Sequence, residues 1–388
     1  MAGFTKNIDN GKIHNNKNNS LNNMLSDISN TNKNILIATQ TITDNILFNN
    51  GLFQNILFFY DLFDIMGYKP YLVFNTPKEN TAILNGYRII LPEDIIKKPI
   101  PVHLYIEIGM SIDKMFCAYL KEIGSKAVRL YLGHILNIDT ETCIKTPQLN
   151  FPHHTQSHFD EVWVSPHYSG HLQYACAINK VGLGKGRIAP YVWMPKFITV
   201  KNRMWNSSAP HDIIISEPNI SFQKCGLLPL ILAEAYANAH PEWTGRVKLM
   251  NSERLKANCH FQINILGKSA IRERIDLLGR QTIHELMTNN PGGVFIGHHW
   301  NNEYNYMTME LVCAGWPVLH NSHIWKEFGY YWAHTDINTA IETLYMIMCN
   351  HGDRVNEYKS KGEALAWNYN INNADVQTRW RHLLEDLM

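Results

Sequence analysis

The stretch GGVFIGHHWNNEYNYMTMELVCAGWPVLHNS, Gly292 to Ser322, contains a strand, a polar loop, a helix and a second strand in one continuous run. Val294, Phe295 and Ile296 form a short apolar segment ending in Gly297-His298-His299, as expected of a buried parallel strand whose C-terminal end opens into a site. From about Asn305 the apolar residues Met307, Leu311 and Ala314 recur at helical spacing. Asn301, Asn302 and Asn305 offer caps, and Gly315 with Pro317 stops the helix before Val318-Leu319. The pattern predicts a helix whose N-terminus points at a pocket.

Unpaired amides and the positive end of the helix dipole converge at such a terminus, so it receives anions, phosphate above all. Glu310 falls in the second turn of the same helix. There a carboxylate accepts hydrogen bonds from the two hydroxyls of a ribose while the amides hold the phosphates. The competing reading is a solvated carboxylate behind an ordinary capped loop.

Glu310-Leu-Val-Cys-Ala-Gly-Trp-Pro-Val318 resembles the EAxAxGxPV signature in the nucleotide-binding domain of GT-B glycosyltransferases. The likeness is to the retaining group in particular, which carries two glutamates separated by seven residues. Counting back from Glu310 by that spacing lands on Asn302, with Glu303 one place off. The longer run GHHWNNEYNY…GWPVLHNS…FGYYW is similar to a bacterial and viral family known as a domain of unknown function and related to these transferases. That likeness covers most of the chain after Asn34.

Working outward, 388 residues with 45% hydrophobic content fit two globular domains. A net charge of +1 with 18% charged residues provides no basic field for nucleic acid, so none is expected as a partner. Seven scattered cysteines without a C-x-x-C pair fit a reducing compartment. The polar N-terminus and the lack of any run of eighteen apolar residues fit a cytoplasmic protein with no transmembrane segment. The Asn, Ile and Lys bias suits an AT-rich microbe or a large DNA virus, which would place the protein in host cytoplasm. Residues 1–34, about a third Asn, read as a flexible arm.

Strands alternate with helices in both halves, which predicts an α/β fold of two Rossmann-like domains. The GT-B resemblance sets these domains across a central cleft. The expected order is an arm over 1–34, a first, acceptor domain over 35–196, a linker over 197–210, a second, nucleotide-sugar domain over 211–365, and a C-terminal helix over 366–388. By resemblance that helix crosses back onto the first domain through Trp367, Trp380 and Leu384. No G-x-G-x-x-G follows the first strand, which argues against a dinucleotide oxidoreductase. Gln40, Thr41 and Asn45 in the first loop are acceptor-side candidates by resemblance. Gln262-Ile-Asn-Ile-Leu266 reads as a further strand opening at Gly267.

His134 stands just past the strand Ala127–Leu132, where α/β sheets build sites. The resemblance implies that it contacts the donor sugar near the reacting carbon. Asp139 is its expected partner, and Glu107, Asp139 and His134 all remain open as a general base. Glu303 joins His134 and Asp139 as a catalytic candidate. For the donor the candidates are Lys224, Asn219, Arg280, His298, Asn305, Tyr306 and Glu310. By resemblance Lys224, before a helix, neutralises the pyrophosphate. His153, His154, His158, His167 and His171 raise a metal question, but no H-E-x-x-H or Cys pair accompanies them, so no metal is expected. An Asp-x-Asp motif is also missing.

These features lead to a metal-independent glycosyltransferase, hexosyl or related. It would move a sugar from a nucleotide-diphosphate sugar, a co-substrate rather than a cofactor, to a glycan or other hydroxyl acceptor. The alternative is a non-catalytic nucleotide- or glycan-binding protein on the same scaffold.

Overall fold

The computed structural model describes residues 33–43, 46–48, 51–74, 76, 82–108, 113–145, 158–198, 204–333 and 335–388. The expected N-terminal arm, Asn45, His153 and His154 lie outside these residues, apart from the last two positions of the arm. Two parallel sheets, each layered with helices, form an α/β fold. The first contains β1 (Asn34–Ala38), β2 (Lys69–Val73), β3 (Ile89–Ile90), β4 (Leu104–Ile108), β5 (Lys126–Tyr131), β6 (Glu161–Val164) and β7 (Gly186–Ile188), in the order β3-β2-β1-β4-β5-β6-β7. The second contains β8 (Ile213–Ile215), β9 (Val247–Leu249), β10 (Ile275–Leu277), β11 (Val294–Ile296), β12 (Val318–His320) and β13 (Tyr330–Tyr331), in the order β10-β9-β8-β11-β12-β13.

Both sheets are parallel because helices cover both faces, which is why β1, β4, β8 and β11 are buried throughout and read as apolar runs interrupted only by Asn34 and Glu107. Each strand order reverses at one point, between β1 and β4 in the first sheet and between β8 and β11 in the second. Connections diverge there and leave a crevice beyond the strands' C-terminal ends. The loops after β5, β8 and β11 therefore meet in the space between the sheets.

Gln262–Leu266 is not a strand. Residues Phe261–Ile265 form a wide helical turn followed by a tighter one over Leu266–Lys268. The Asn258 side chain accepts the Phe261 amide and its carbonyl accepts that of Gln262, so the chain coils at once. Phe261 and Leu266 reach the core while Ile263 is 65% exposed, a helical spacing that resembles alternation over so short a span. The two-residue strands β3 and β13 fall below what periodicity detects.

The helix Ile337–Trp367 is much longer than its amphipathic start at Ile337–Met348 indicates. Ala340, Leu344 and Ile347 pack in the second core, whereas Leu365 and Ala366 join the first. A Cβ on Gly362 would stand 2.6 Å from the Val312 carbonyl, so this position lets the long helix lie directly on the helix Tyr306–Ala314. The final helix, Ala374–Glu385, packs on the first sheet: the Trp380 ring lies 5.1 Å from Phe59, 5.4 Å from Phe63 and 5.9 Å from Trp163. Leu384 is buried with it. Trp367 is not an anchor. At the end of the long helix it is 53% exposed, and the neighbouring Leu365 and Ala366 are buried instead. No described helix is long and apolar enough to cross a membrane.

Candidate active site

A cleft of about 1170 Å³ lies between the sheets and is lined from both. On the second-sheet side, the loop after β8 is folded by Asn219. With φ of 53° this residue sits in the left-handed region, and its side chain donates to the carbonyls of Glu217, Met250 and Asn251 while accepting from the Gly226 amide. Asparagine tolerates that backbone and carries both kinds of hydrogen-bonding group. The side chain is fully used inside the loop and does not line the cleft, so Asn219 shapes the site rather than contacting a ligand.

The Asn219 latch presents Lys224 to the cleft. Burial lowers the pKa of the Lys224 ammonium, and the charge of Glu217 acts in the opposite direction. Among the described residues it makes no ion pair, so a half-buried cation faces the cleft, offset only by the charge of nearby Glu217. Arg280 and Arg254 stand exposed on the same wall. Arg254, on the short helix Glu253–Lys256, lacks any motif that would single it out in sequence.

Beyond β11, Glu217 organises the second loop: the His298 amide donates to its Oε1 at 3.2 Å, and His299 Nε2 lies 3.1 Å from its Oε2. His298 is 1% exposed, packs against Trp300 and Trp332, and is not a cleft residue. The donor-binding expectation fails there because the strand end turns this imidazole into the core. Asn305 caps the helix Tyr306–Ala314 through the Thr308 amide, and its Nδ2 lies 2.9 Å from His299 Nε2. Tyr306 and Glu310 both line the cleft. Burial raises the Glu310 carboxyl from 4.5 to about 7, and the neighbouring Gln54 amide lowers it.

The question of register between Asn302 and Glu303 has a geometric answer. Asn302 lines the cleft and accepts the Tyr168 hydroxyl; its Nδ2 is buried with no hydrogen-bond partner. Glu303 points elsewhere, accepting the Ile324 amide at 3.1 Å, so the structure does not place it at the chemistry.

On the first-sheet side, His134 precedes the helix Ile135–Lys145 and lines the cleft. Its Nδ1 accepts the Asn137 amide at 3.3 Å and lies 3.2 Å from Nδ1 of His171. Asp139 accepts the Tyr174 hydroxyl at 2.6 Å and is not among the cleft residues; the partner placed on His134 is another imidazole. His167 stacks between Tyr168 and Tyr304. Burial first, then the charge of Lys224, then His171 and His134 push His167 down to about 3. His171 is lowered by burial to about 4, and His134 is also lowered by burial.

Other expectations are displaced. Glu107 is wholly buried in β4, paired with Arg129 of β5 and accepting the Tyr105 hydroxyl at 2.8 Å, so it cannot reach a substrate as a base. Glu107, Cys117 and His158 form a group with metal-ligand spacing, but the Arg129 cation already occupies the carboxylate. Gln40 is exposed, Thr41 bonds to Thr76, and neither lines the cleft; Gln54 and Asn55 of the helix Gly51–Ile65 do. Glu217, Tyr168 and Gln54 carry no motif, and His171 only its place in the histidine-rich span, so the tertiary contacts are what mark them as part of the site.

The model of the family described as "Protein of unknown function (DUF2827)" matches residues 36–384. No curated protein matches the chain in sequence. Among solved structures it is similar to trehalose-6-phosphate synthase OtsA, with a TM-score of 0.59 at 11% identity over 92% of this chain and 99% of that one. It is similar also to Alr3699/HepE of Anabaena in complex with UDP, with a TM-score of 0.57 at 10% identity over 92% and 100%. A glycosyltransferase from Rickettsia africae ESF-5 gives 0.55 at 11% identity over 92% and 98%. At these identities the likeness is one of fold, that of the GT-B glycosyltransferases: two Rossmann-like sheets facing a cleft.

Proposed function

Starting from the premise that the chain belongs to the DUF2827 family, we propose that it is a glycosyltransferase using a nucleotide-diphosphate sugar without a bound metal. The observation that carries this reading is the Lys224 ammonium, desolvated in the cleft and without an ion-pair partner among the described residues, beside the capped start of the helix Tyr306–Ala314. A desolvated cation and a helix N-terminus together suit a diphosphate, and they stabilise the charge that grows on it as it leaves. In this reading Glu310 takes the ribose hydroxyls, and Arg254 and Arg280, which line the same cleft, meet phosphate or base. In the reaction the acceptor oxygen forms a bond to the anomeric carbon, the bond from that carbon to the diphosphate oxygen breaks, and the acceptor's proton passes to an oxygen of the departing diphosphate. Anabaena Alr3699/HepE, of similar fold, has been solved with UDP and with UDP-glucose, which makes uridine nucleotides the first donors to try.

The test is the melting temperature of the full chain with UDP-, GDP-, ADP- and dTDP-sugars, repeated with Lys224→Ala, followed by donor consumption with and without glycan acceptors. A nucleotide present at 100 times its Kd stabilises the fold by about 2.7 kcal/mol. One nucleotide class is expected to raise the melting temperature of the wild type and not of the variant, and turnover in the variant is expected to fall about 100- to 1000-fold. A shift that persists in Lys224→Ala, or no shift from any donor, overturns the proposal. Binding without turnover under any acceptor would instead leave a binding protein.

A further inference from the structure

Nδ1 of His134 receives the Asn137 amide hydrogen, so it carries a lone pair and the neutral ring keeps its proton on Nε2. Nδ1 of His171 faces the same atom at 3.2 Å. Two lone pairs cannot face each other at hydrogen-bond distance, so His171 must hold its own proton on Nδ1 and donate it. His171 is 4% exposed, and its Nε2 has no hydrogen-bond partner that would hold the opposite tautomer. Tyr168 stacks on the His171 ring with planes 20° apart and fixes its orientation, while the His134 ring stands nearly perpendicular to it at 87°.

We infer that His171 is a positioning residue which locks His134 as the Nε2–H tautomer, so that His134 offers a hydrogen-bond donor, not a basic lone pair, to the cleft. The inference rests on the transferase reading only for what His134 would touch: an oxygen of the donor sugar or of the departing phosphate. It removes neutral His134 from the candidates for general base, because the nitrogen available to substrate already holds its proton and the other nitrogen is committed twice.

The experiment is nitrogen NMR of the full chain with labelled histidines, on the wild type, His171→Asn and His171→Asp. The two variants have nearly the same shape. The Asn amide places an N–H where the Nδ1–H was, whereas the Asp carboxylate places an acceptor there and draws a proton onto His134 Nδ1. The expected result is His134 protonated on Nε2 and His171 on Nδ1 in the wild type, His134 unchanged in the Asn variant, and Nδ1 of His134 protonated in the Asp variant. UDP-glucose turnover should fall about 10- to 100-fold with Asp and recover with Asn. A His134 protonated on Nδ1 in the wild type, or Asn and Asp variants that behave alike, would refute the assignment. If the Asp chain does not fold, the wild-type and Asn spectra decide. Should the wild type turn over no nucleotide sugar, the transferase reading falls, and the spectra still settle the role of His171.

Discussion

Replacing Glu310 by Gln should make the empty protein more stable and its nucleotide complex weaker. Burial holds the Glu310 carboxyl at about 7 in the fold against an ordinary value of 4.5. Such a group binds more protons folded than unfolded between those two values, so its contribution to stability declines as pH rises from 4.5 to 7 and is flat above. At about 1.36 kcal/mol per pH unit the full penalty is roughly 3 kcal/mol, and partial solvent access on the cleft floor reduces it to about 1–3 kcal/mol. Glutamine has the same shape and does not titrate. At pH 8 the variant should therefore melt about 2–12 °C above the wild type, taking about 2–4 °C per kcal/mol for a unit of this size. At pH 4.5 the two should coincide. The amide still accepts hydrogen bonds but has lost the charge, so affinity for UDP should fall about 5- to 10-fold. Calorimetry across this pH range, with and without UDP, measures both effects. A difference that does not change with pH, or a variant less stable than wild type at pH 8, would refute the placement of Glu310 as a desolvated carboxylate.

Glu107→Gln should cost about 3–5 kcal/mol in urea unfolding, because it leaves the buried Arg129 cation uncompensated between β4 and β5. Trp380→Ala should cost about 3–5 kcal/mol by removing the ring packed on Phe59, Phe63 and Trp163. Asn219→Ala leaves three carbonyls and the Gly226 amide without their side-chain partner and puts a residue less tolerant of left-handed backbone at that position; a loss of about 2–3 kcal/mol and of the UDP-induced melting shift is expected, although Asn219 does not line the cleft. Gly362→Ala should lower the melting temperature by pushing the long helix off the Val312 carbonyl, at a cost of about 1–3 kcal/mol.

Much of this was legible in the chain. Ile213–Ile215 and Val294–Ile296 read as buried parallel strands because a sheet covered on both faces favours apolar residues at every position, and Glu161–Val164 follows the same pattern apart from Glu161. Asn305 and Gly315 delimited the site helix because a cap and a left-handed stop have few residue choices; Gly315 has a φ of 80°. Lys224 stands out only through the resemblance, which sets a lysine before that helix, and His134 through its position after a strand; both line the cleft. Errors arose where a local pattern had two meanings. The Ile-Asn-Ile of 263–265 alternates as a strand would, yet the Asn258 cap coils it. Glu107, Asp139 and Glu303 were chemically apt, and nothing in a linear sequence says whether a carboxylate meets Arg129, Tyr174 or the Ile324 amide before it meets a substrate.

Sequence by itself determined most of the elements, the parallel class of the sheets and the helix that points at the cleft, because each leaves its mark in local apolar patterns and caps. Which wall of the cleft holds which group was decided by contacts across long separations: Tyr168 with Asn302, Gln54 beside Glu310, Glu141 accepting the Phe222 amide at 2.9 Å, and His171 facing His134. Desolvation also belongs to the assembled fold. A lysine, a glutamate and three histidines have altered proton affinities here only because two sheets close over them, and burial is a property of the packed whole that no local spacing encodes.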